Sequence, residues 1–332
     1  MEMRIFGRTG LNLSVLGFGC GAVGGLMVRG DPMDQERTIA RAMGAGVNYF
    51  DTAVQYGNGE SEKNLGRILQ HLRPPNAVVG TKVRLPSASF GHIADAAATS
   101  LEHSLIRLRR DRVDIFHLHN AITDAGGGET LSVQQVLGEV VPAFQRLRQQ
   151  GKIRFLGLTA IGSTTALYRV IDAGAFDSAQ VVYNMLNPSA DTKLPPNYPA
   201  QDYGRLFQHT KKSGVGVIGI RVLAGGALSG STERHPPTAR ADRVGYELRG
   251  RCHAGASSNA NSTGRIRHEP HRSRHPVWHF SSCDGDHSGR HGNAAPIREC
   301  ARRGPKGPAA VCRARAADDI TASIRRRTTV IH

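Results

Sequence analysis

VNYFDTAVQYGNGESEKNLGRIL, residues 47–69, holds one complete strand–loop–helix unit. VNYFD (47–51) is an apolar run short enough to be a buried strand, and it ends on an acid. After a glycine-rich loop, SEKNLGRILQHL (61–72) repeats its apolar residues at helical spacing. How often this unit recurs decides the fold.

It recurs through the first two thirds of the chain. Further apolar runs of strand length are SVLGFG (14–19), AVVGTK (77–82), VDIFHLH (113–119), IRFLGLT (153–159), SAQVVYN (178–184) and VGVIGI (215–220). In DQERTIARAMGAG (34–46), Ile39, Ala42 and Met43 share a helical face, Asp34 suits an N-cap, and Gly44 and Gly46 suit the end. VLGEVVPAFQRLRQQGK (136–152) closes on basic residues and a glycine. Strands alternating with helices at this interval predict right-handed βαβ units and a parallel sheet. Seven strands with room for an eighth predict an α/β protein of the (β/α)8 TIM-barrel class, behind a short N-terminal hairpin, RIFGRTGLNLS (4–14). The competing open sheet would bind a dinucleotide on G-x-G-x-x-G. GCGAVG (19–24) fits that pattern, but no acid closes a second strand in the expected register.

The totals narrow the class. Of 332 residues 39% are hydrophobic, and five cysteines without paired spacing fit a reducing compartment better than a disulfide framework. MEMRIFGRTG lacks the basic flank and apolar stretch of a secretory signal. No run approaches the roughly 18 apolar residues that span a bilayer. A cytoplasmic protein with no membrane partner is expected.

The net charge of +16 points at first to nucleic acid, but it is unevenly spread. Residues 233–332 hold 19 Lys+Arg against 9 Asp+Glu, a net of +10, whereas residues 1–232 hold 24 against 18, a net of +6. The tail also carries nine of the 15 histidines and four of the five cysteines. The chain therefore reads as a barrel over 1–232 and a basic Arg/His-rich tail over 233–332 that is not expected to be a folded domain.

In a parallel barrel, chemistry sits where strands end at the C-terminal face. The second strand ends in Asp51, the third in Lys82 and the fourth in His119, and Tyr56 lies in the loop after Asp51. Singly, each has a structural reading: a loop aromatic, a core histidine, an ion pair. Together they describe a tuned phenol. An unperturbed tyrosine, with a pKa of about 10, is a poor proton donor at neutrality. A neighbouring ammonium would lower that value, Asp51 would hold the lysine, and a histidine would orient a carbonyl oxygen. No residue here transfers hydride, so a nicotinamide is implied.

These residues carry a resemblance. VNYFDTAVQYGNGESEKNLGRIL resembles the signature of the aldo-keto reductases, VVGTKV (78–83) their third strand with its lysine, and VDIFHLHN (113–120) their fourth with its histidine. The resemblance covers roughly residues 3–232. It implies catalytic roles for Tyr56, Lys82, Asp51 and His119, and puts His117 at a buried apolar position. It further implies NADP(H) as cofactor, a carbonyl, alcohol or sugar as substrate, and no metal. GKIRFLGLTA (151–160) is similar to the segment that holds the nicotinamide carboxamide, with Thr159 keeping the hydroxyl and Ala160 replacing an amide. Gln180 is implied for the same carboxamide, and GVGVIGIRVLAGGALSG (214–230) resembles the pyrophosphate-binding turn. Gly19, Thr159, Gln180, Arg221, Leu223 and Gly225 are thus the implied cofactor residues. Ile220 stands where many members place a stacking tyrosine, and Arg221 either meets a phosphate or lies solvated.

The tail departs from this pattern. The family continues with a seventh helix, an eighth strand and an eighth helix, none of which residues 233–332 show in their sequence pattern. His271, His275 and His279, or His287 and His291, have spacings that could hold zinc on a helix, but no helical pattern carries them. The arginines lack the aromatic interleaving of a single-strand binder. WHFSSCDGDHSGRHGNAA (278–295), read one nucleotide later with permitted codons, can give GISHPAMGTILVGMATP, which contains an apolar β-type run. A frameshift near residues 235–238 is therefore expected. It would leave the eighth strand and its flanking helices missing or disrupted, the first and seventh strands as open edges, and this polypeptide with little reductase activity. The alternative function is a non-catalytic binder of nucleic acid acting through the tail.

Overall fold

The computed structural model describes residues 1–22, 25–229 and 277–282, the last through their backbone. In chain order the elements begin with β1 (Met3–Ile5), β2 (Asn12–Ser14), β3 (Leu16–Gly19), α1 (Leu26–Arg29), α2 (Pro32–Gly44), β4 (Tyr49–Asp51), α3 (Glu60–Leu72) and β5 (Val78–Val83). Then come α4 (Ile93–Leu108), β6 (Val113–Leu118), β7 (Ile122–Thr123), β8 (Leu131–Ser132), α5 (Val133–Gln135), α6 (Val141–Gln149) and β9 (Ile153–Thr159). The series closes with α7 (Thr164–Asp172), β10 (Ser178–Val182), α8 (Leu206–Lys212), β11 (Gly216–Ile220) and β12 (Val277–Ser282).

Eight strands form a closed parallel barrel in the order β3-β4-β5-β6-β9-β10-β11-β12. The class expected from the sequence is the one found, and each of the seven strand-length runs supplies one strand. The helices pack outside, where Leu65, Ile68, Leu101, Leu105, Phe144, Leu147, Leu167 and Val170 are buried. No helix among the described residues is long and apolar enough to cross a membrane.

Local chemistry sets the helix ends. Asp31, not Asp34, caps α2: its carboxylate accepts from the backbone of Met33 and Asp34, and Pro32 occupies the first helical position. Proline there loses nothing, because that N–H has no helical partner. α5 runs through a π-turn over Val136–Val140 into α6. Pro142 follows that turn, and a proline inside a helix removes one bond and crowds the carbonyl four residues back.

The eighth place is filled from the tail. β12 pairs in parallel with β11 (Val217↔Val277 to Gly219↔His279) and with β3 (His279↔Leu16 to Ser282↔Gly19). The open edges expected at β3 and β11 are therefore corrected, since β12 covers both. Two parallel edges offer a ladder on each side, and ladder bonds are made by backbone groups that every non-proline residue carries. Val277, Trp278 and Phe280 also have high strand preference. The strand in this position comes from inside the tail, and its three and four residue pairs equal or exceed the three that β4 makes with each neighbour. The flanking helices, the zinc-spaced histidines other than His279, and the rest of the tail that motivated the nucleic-acid alternative lie outside the described residues.

The predicted N-terminal hairpin is present as β1 and β2, and it plugs the bottom of the barrel. Phe6, Leu11 and Leu13 pack with Tyr49, Val78, Ile115 and Ile218 in one buried cluster. Gly216 makes room: a Cβ there would stand 2.7 Å from the Phe6 ring. Arg8 fastens the plug. Its side chain binds Asp177 at 3.0 Å and the carbonyls of Gly174 and Phe176 at 2.7 and 2.9 Å, and its amide binds Gly214.

Candidate active site

Residues two apart on a strand face the same way. β4 therefore sends Tyr49 and Asp51 to the side that holds the apolar floor, and β5 sends Gly80 and Lys82. Asp51 pairs with Gly80 across the two strands, which leaves Lys82 one step nearer the mouth. Above the floor the barrel interior becomes polar.

Lys82 organises that layer. Its ammonium donates to Asp51 Oδ2 at 2.5 Å, to the Thr52 carbonyl at 2.8 Å and to Tyr56 Oη at 3.1 Å. An ammonium has three N–H groups, and all three are engaged. Burial works against the charge, but Asp51 and Tyr56 outweigh it and hold the lysine above its ordinary value. Burial pushes the Asp51 carboxyl up, against the downward pull of Lys82, Gln180 and Tyr49.

Tyr56 corrects one expectation. Lys82 does pull its pKa down, but burial is the larger effect and Asp51 adds to it, so the phenol lies above its ordinary value. It stays protonated across the physiological range. The loop that presents it turns through three successive left-handed residues, Gly57, Asn58 and Gly59, at φ of 65°, 51° and 90°. A Cβ on Gly57 would meet Val28 at 2.4 Å and one on Gly59 would meet Arg107 at 2.6 Å, so glycine is required twice. Ser61, at the start of α3, then bonds the Cys20 carbonyl and the Thr52 hydroxyl, each at 2.8 Å. This ties the loop's far end to the ends of β3 and β4.

His119 follows β6 and is half-buried, with Nδ1 3.2 Å from Gln55 Oε1. Burial, followed by the charges of Lys82, Arg84 and Arg221, lowers its pKa to about 3. The imidazole is therefore neutral. Asp51, Lys82 and Tyr56 form one hydrogen-bonded chain, while His119 stands beside it through Gln55, the neighbour of Tyr56.

The residues implied for a cofactor divide into two groups. Thr159 and Gln180, both buried, join the polar layer: Thr159 Oγ1 donates to Gln180 Oε1 at 3.4 Å, and Gln180 Nε2 donates to Asp51 Oδ1 at 2.6 Å. Gly19 ends β3, paired with Asp51 on one side and Ser282 on the other. The loop after β11 holds the rest. Arg221 is exposed at φ 56°, and its carbonyl accepts from Asn184 at 3.0 Å. Leu223 precedes a short 3-10 turn in which Gly225 has φ 66°.

Several members of the site escaped the sequence reading. The Gln180–Asp51 bond joins strands on opposite walls, which spacing along one strand does not show. Tyr49, whose hydroxyl is 3.4 Å from Asp51 Oδ1, was legible in principle from the two-residue period. Gln55 carries no local signal. His117 is buried as the resemblance implies, but its surroundings are polar: Nε2 lies 3.2 Å from Ser178 Oγ. Burial, then Lys82, keeps its pKa well below the ordinary value.

Known proteins resemble this chain in sequence and fold. Residues 15–267 match the Aldo/keto reductase family. L-galactose dehydrogenase of Arabidopsis thaliana is 33% identical over 239 residues, 71% of this chain and 69% of that protein. An aldo-keto reductase from Bacillus halodurans, solved in its holo form, superimposes with a TM-score of 0.55 at 25% identity, covering 70% of each chain. An aldo/keto reductase from Klebsiella pneumoniae, solved in complex with NADP and acetate, has the same fold at a TM-score of 0.51 and 24% identity, over 69% of this chain and 71% of that one. With its barrel and the match over residues 15–267, the chain belongs to the aldo/keto reductase family.

Proposed function

We propose that this oxidoreductase interconverts a carbonyl and an alcohol with NADP(H), and that its substrate is a small aldehyde, a ketone or a sugar. The observation that carries the reading is the direction of the hydrogen bonds at Lys82. An ammonium can only donate, so Tyr56 Oη accepts from it, and the phenol's own proton points elsewhere. A carbonyl oxygen above Tyr56 can take that proton as it becomes an alkoxide.

When bound, the reduced nicotinamide supplies the hydride that the chain lacks. The residues present fit such a group. Arg84 and Arg221 bring positive charge to bear on His119 at the mouth, which favours a polyanionic cofactor. The Gln180 amide and Thr159 hydroxyl keep hydrogen-bonding capacity beyond the bonds already made, enough to hold a carboxamide. In the loop after β11, Arg221, Ala224, Gly225 and Gly226 have left-handed backbone. The Ala224 and Gly226 amides are spent on the carbonyls of Arg221 and Leu223, so Arg221, Leu223 and Gly225 are the residues assigned to the pyrophosphate. Support for NADP(H) comes from the Klebsiella structure, and support for a sugar from the galactose dehydrogenase.

In the proposed reduction, Tyr56 donates its proton, and the phenolate left behind is stabilised by Lys82. Asp51 keeps Lys82 in place and charged. Neutral His119 borders the oxygen's position without adding charge. The reverse reaction uses the same groups, with the phenolate taking the alcohol proton. Tyr56→Phe should lower turnover about 10²–10⁴-fold while leaving NADPH affinity essentially unchanged. Both are measured on the frame-restored protein, by NADPH oxidation and by fluorescence titration. Undiminished turnover in Tyr56→Phe would overturn the assignment.

A further inference from the structure

Of the eight barrel strands, β4 and β10 stand opposite one another, four places apart in either direction. The bond from Gln180 Nε2 to Asp51 Oδ1, at 2.6 Å, therefore crosses the whole interior between residues that are 1% and 5% exposed. We propose that Gln180, backed by Tyr49, is a positioning residue that holds the Asp51 carboxylate and through it sets Lys82 against Tyr56.

The geometry gives each partner a distinct place. Asp51 Oδ2 is occupied by Lys82, while Oδ1 accepts from Gln180 and, more weakly at 3.4 Å, from Tyr49. The carboxylate is thus gripped from β4, β5 and β10. Gln180 is itself oriented, because Thr159 donates to its carbonyl oxygen and leaves the amide nitrogen to face Asp51. The bonds run in one direction, from Thr159 through Gln180 to Asp51, where they meet the bond from Lys82. Tyr49 is fixed from below by the apolar floor, and its hydroxyl lies 2.4 Å from where a Cβ on Gly80 would be. A glycine opposite Asp51 is what lets the tyrosine reach it.

A carboxylate losing one charge-assisted bond in a dry site becomes easier to protonate. The charged and titratable groups around Asp51 are Lys82 on β5, Tyr56 in the following loop and Tyr49 on its own strand. Removing the Gln180 donor alters none of these charges. The proposal rests on the reductase reading for its meaning, but its test does not need turnover. In the cofactor-free full chain labelled at aspartate carboxyl carbons, NMR follows the Asp51 titration. Gln180→Met, close in volume and without a donor, should raise the Asp51 midpoint by about one pH unit or more. Tyr49→Phe should raise it by less and serves if the first variant does not fold. A midpoint unchanged in both variants would overturn the proposal, whatever the turnover. A raised midpoint, in a protein whose frame-restored form has no turnover, would uphold the positioning role and reject the reductase reading.

Discussion

The His117 ring lies where a side chain at residue 157 would begin: a Cβ on Gly157 would stand 2.3 Å from His117 Cδ2. The two residues are partners across β6 and β9. Gly157→Ala should therefore overpack the barrel and cost about 1–3 kcal/mol in urea unfolding. Adding His117→Ala should recover part of that loss, since the two sites share one volume and cannot behave additively. Additive losses would show that the crowding is relieved elsewhere.

Asp51 and Lys82 form a pair with side chains 7% and 1% exposed. Breaking such a pair from one side leaves a bare buried charge. Asp51→Asn should lower stability by about 3–5 kcal/mol, and Asp51→Asn with Lys82→Met should lower it less. Chemical denaturation of the two variants decides it. A double variant weaker than the single one would mean that Lys82 finds another counter-charge.

The two histidines near the site predict acid lability. The folded chain holds His119 at about 3 against an ordinary 6.5, and His117 well below 6.5. Both folded values lie below the unfolded ones, so this stability is fully present above about pH 6.5. It is lost as the pH falls, because the unfolded chain then binds protons that the folded chain refuses. The urea midpoint should drop steadily below pH 6.5, and His119→Asn should flatten part of that slope. A slope unchanged by His119→Asn would count against a neutral His119.

The tail predicts a defect in cofactor choice. By resemblance, the eighth strand and the helix start after it hold the adenosine 2′-phosphate, and the sequence of 233–332 does not supply that site. This chain should bind NADPH little better than NADH, whereas a frame-restored version should prefer NADPH. Calorimetric titration of both proteins with both cofactors tests this, and a strong NADPH preference in the present chain would refute it.

Much of the fold was legible because burial fixes its pattern. Seven apolar runs mark seven barrel strands, and IRFLGLT coincides with β9 from Ile153 to Thr159. The same logic placed Asp51 and Lys82 at strand ends. What stayed hidden depends on closure in space. That β12 would close the barrel cannot be read from WHFSS, because its place comes from two waiting edges and not from its own periodicity. The Gln180–Asp51 bond exists only once opposite walls face one another. The direction of the Tyr56 shift was misjudged for a related reason: the sequence names the lysine beside it but not the depth at which both are buried.

The Arg8 clasp has a consequence for biosynthesis. Arg8 leaves the ribosome well before its partner Asp177, which lies 169 residues later. At about 5–20 residues per second, the hairpin waits on the order of ten to thirty seconds for the wall it must plug. Throughout that interval Phe6, Leu11 and Leu13 have no floor to complete. The nascent chain thus carries an exposed apolar hairpin until most of the barrel has been translated, which makes it a binding target for chaperones that act during synthesis.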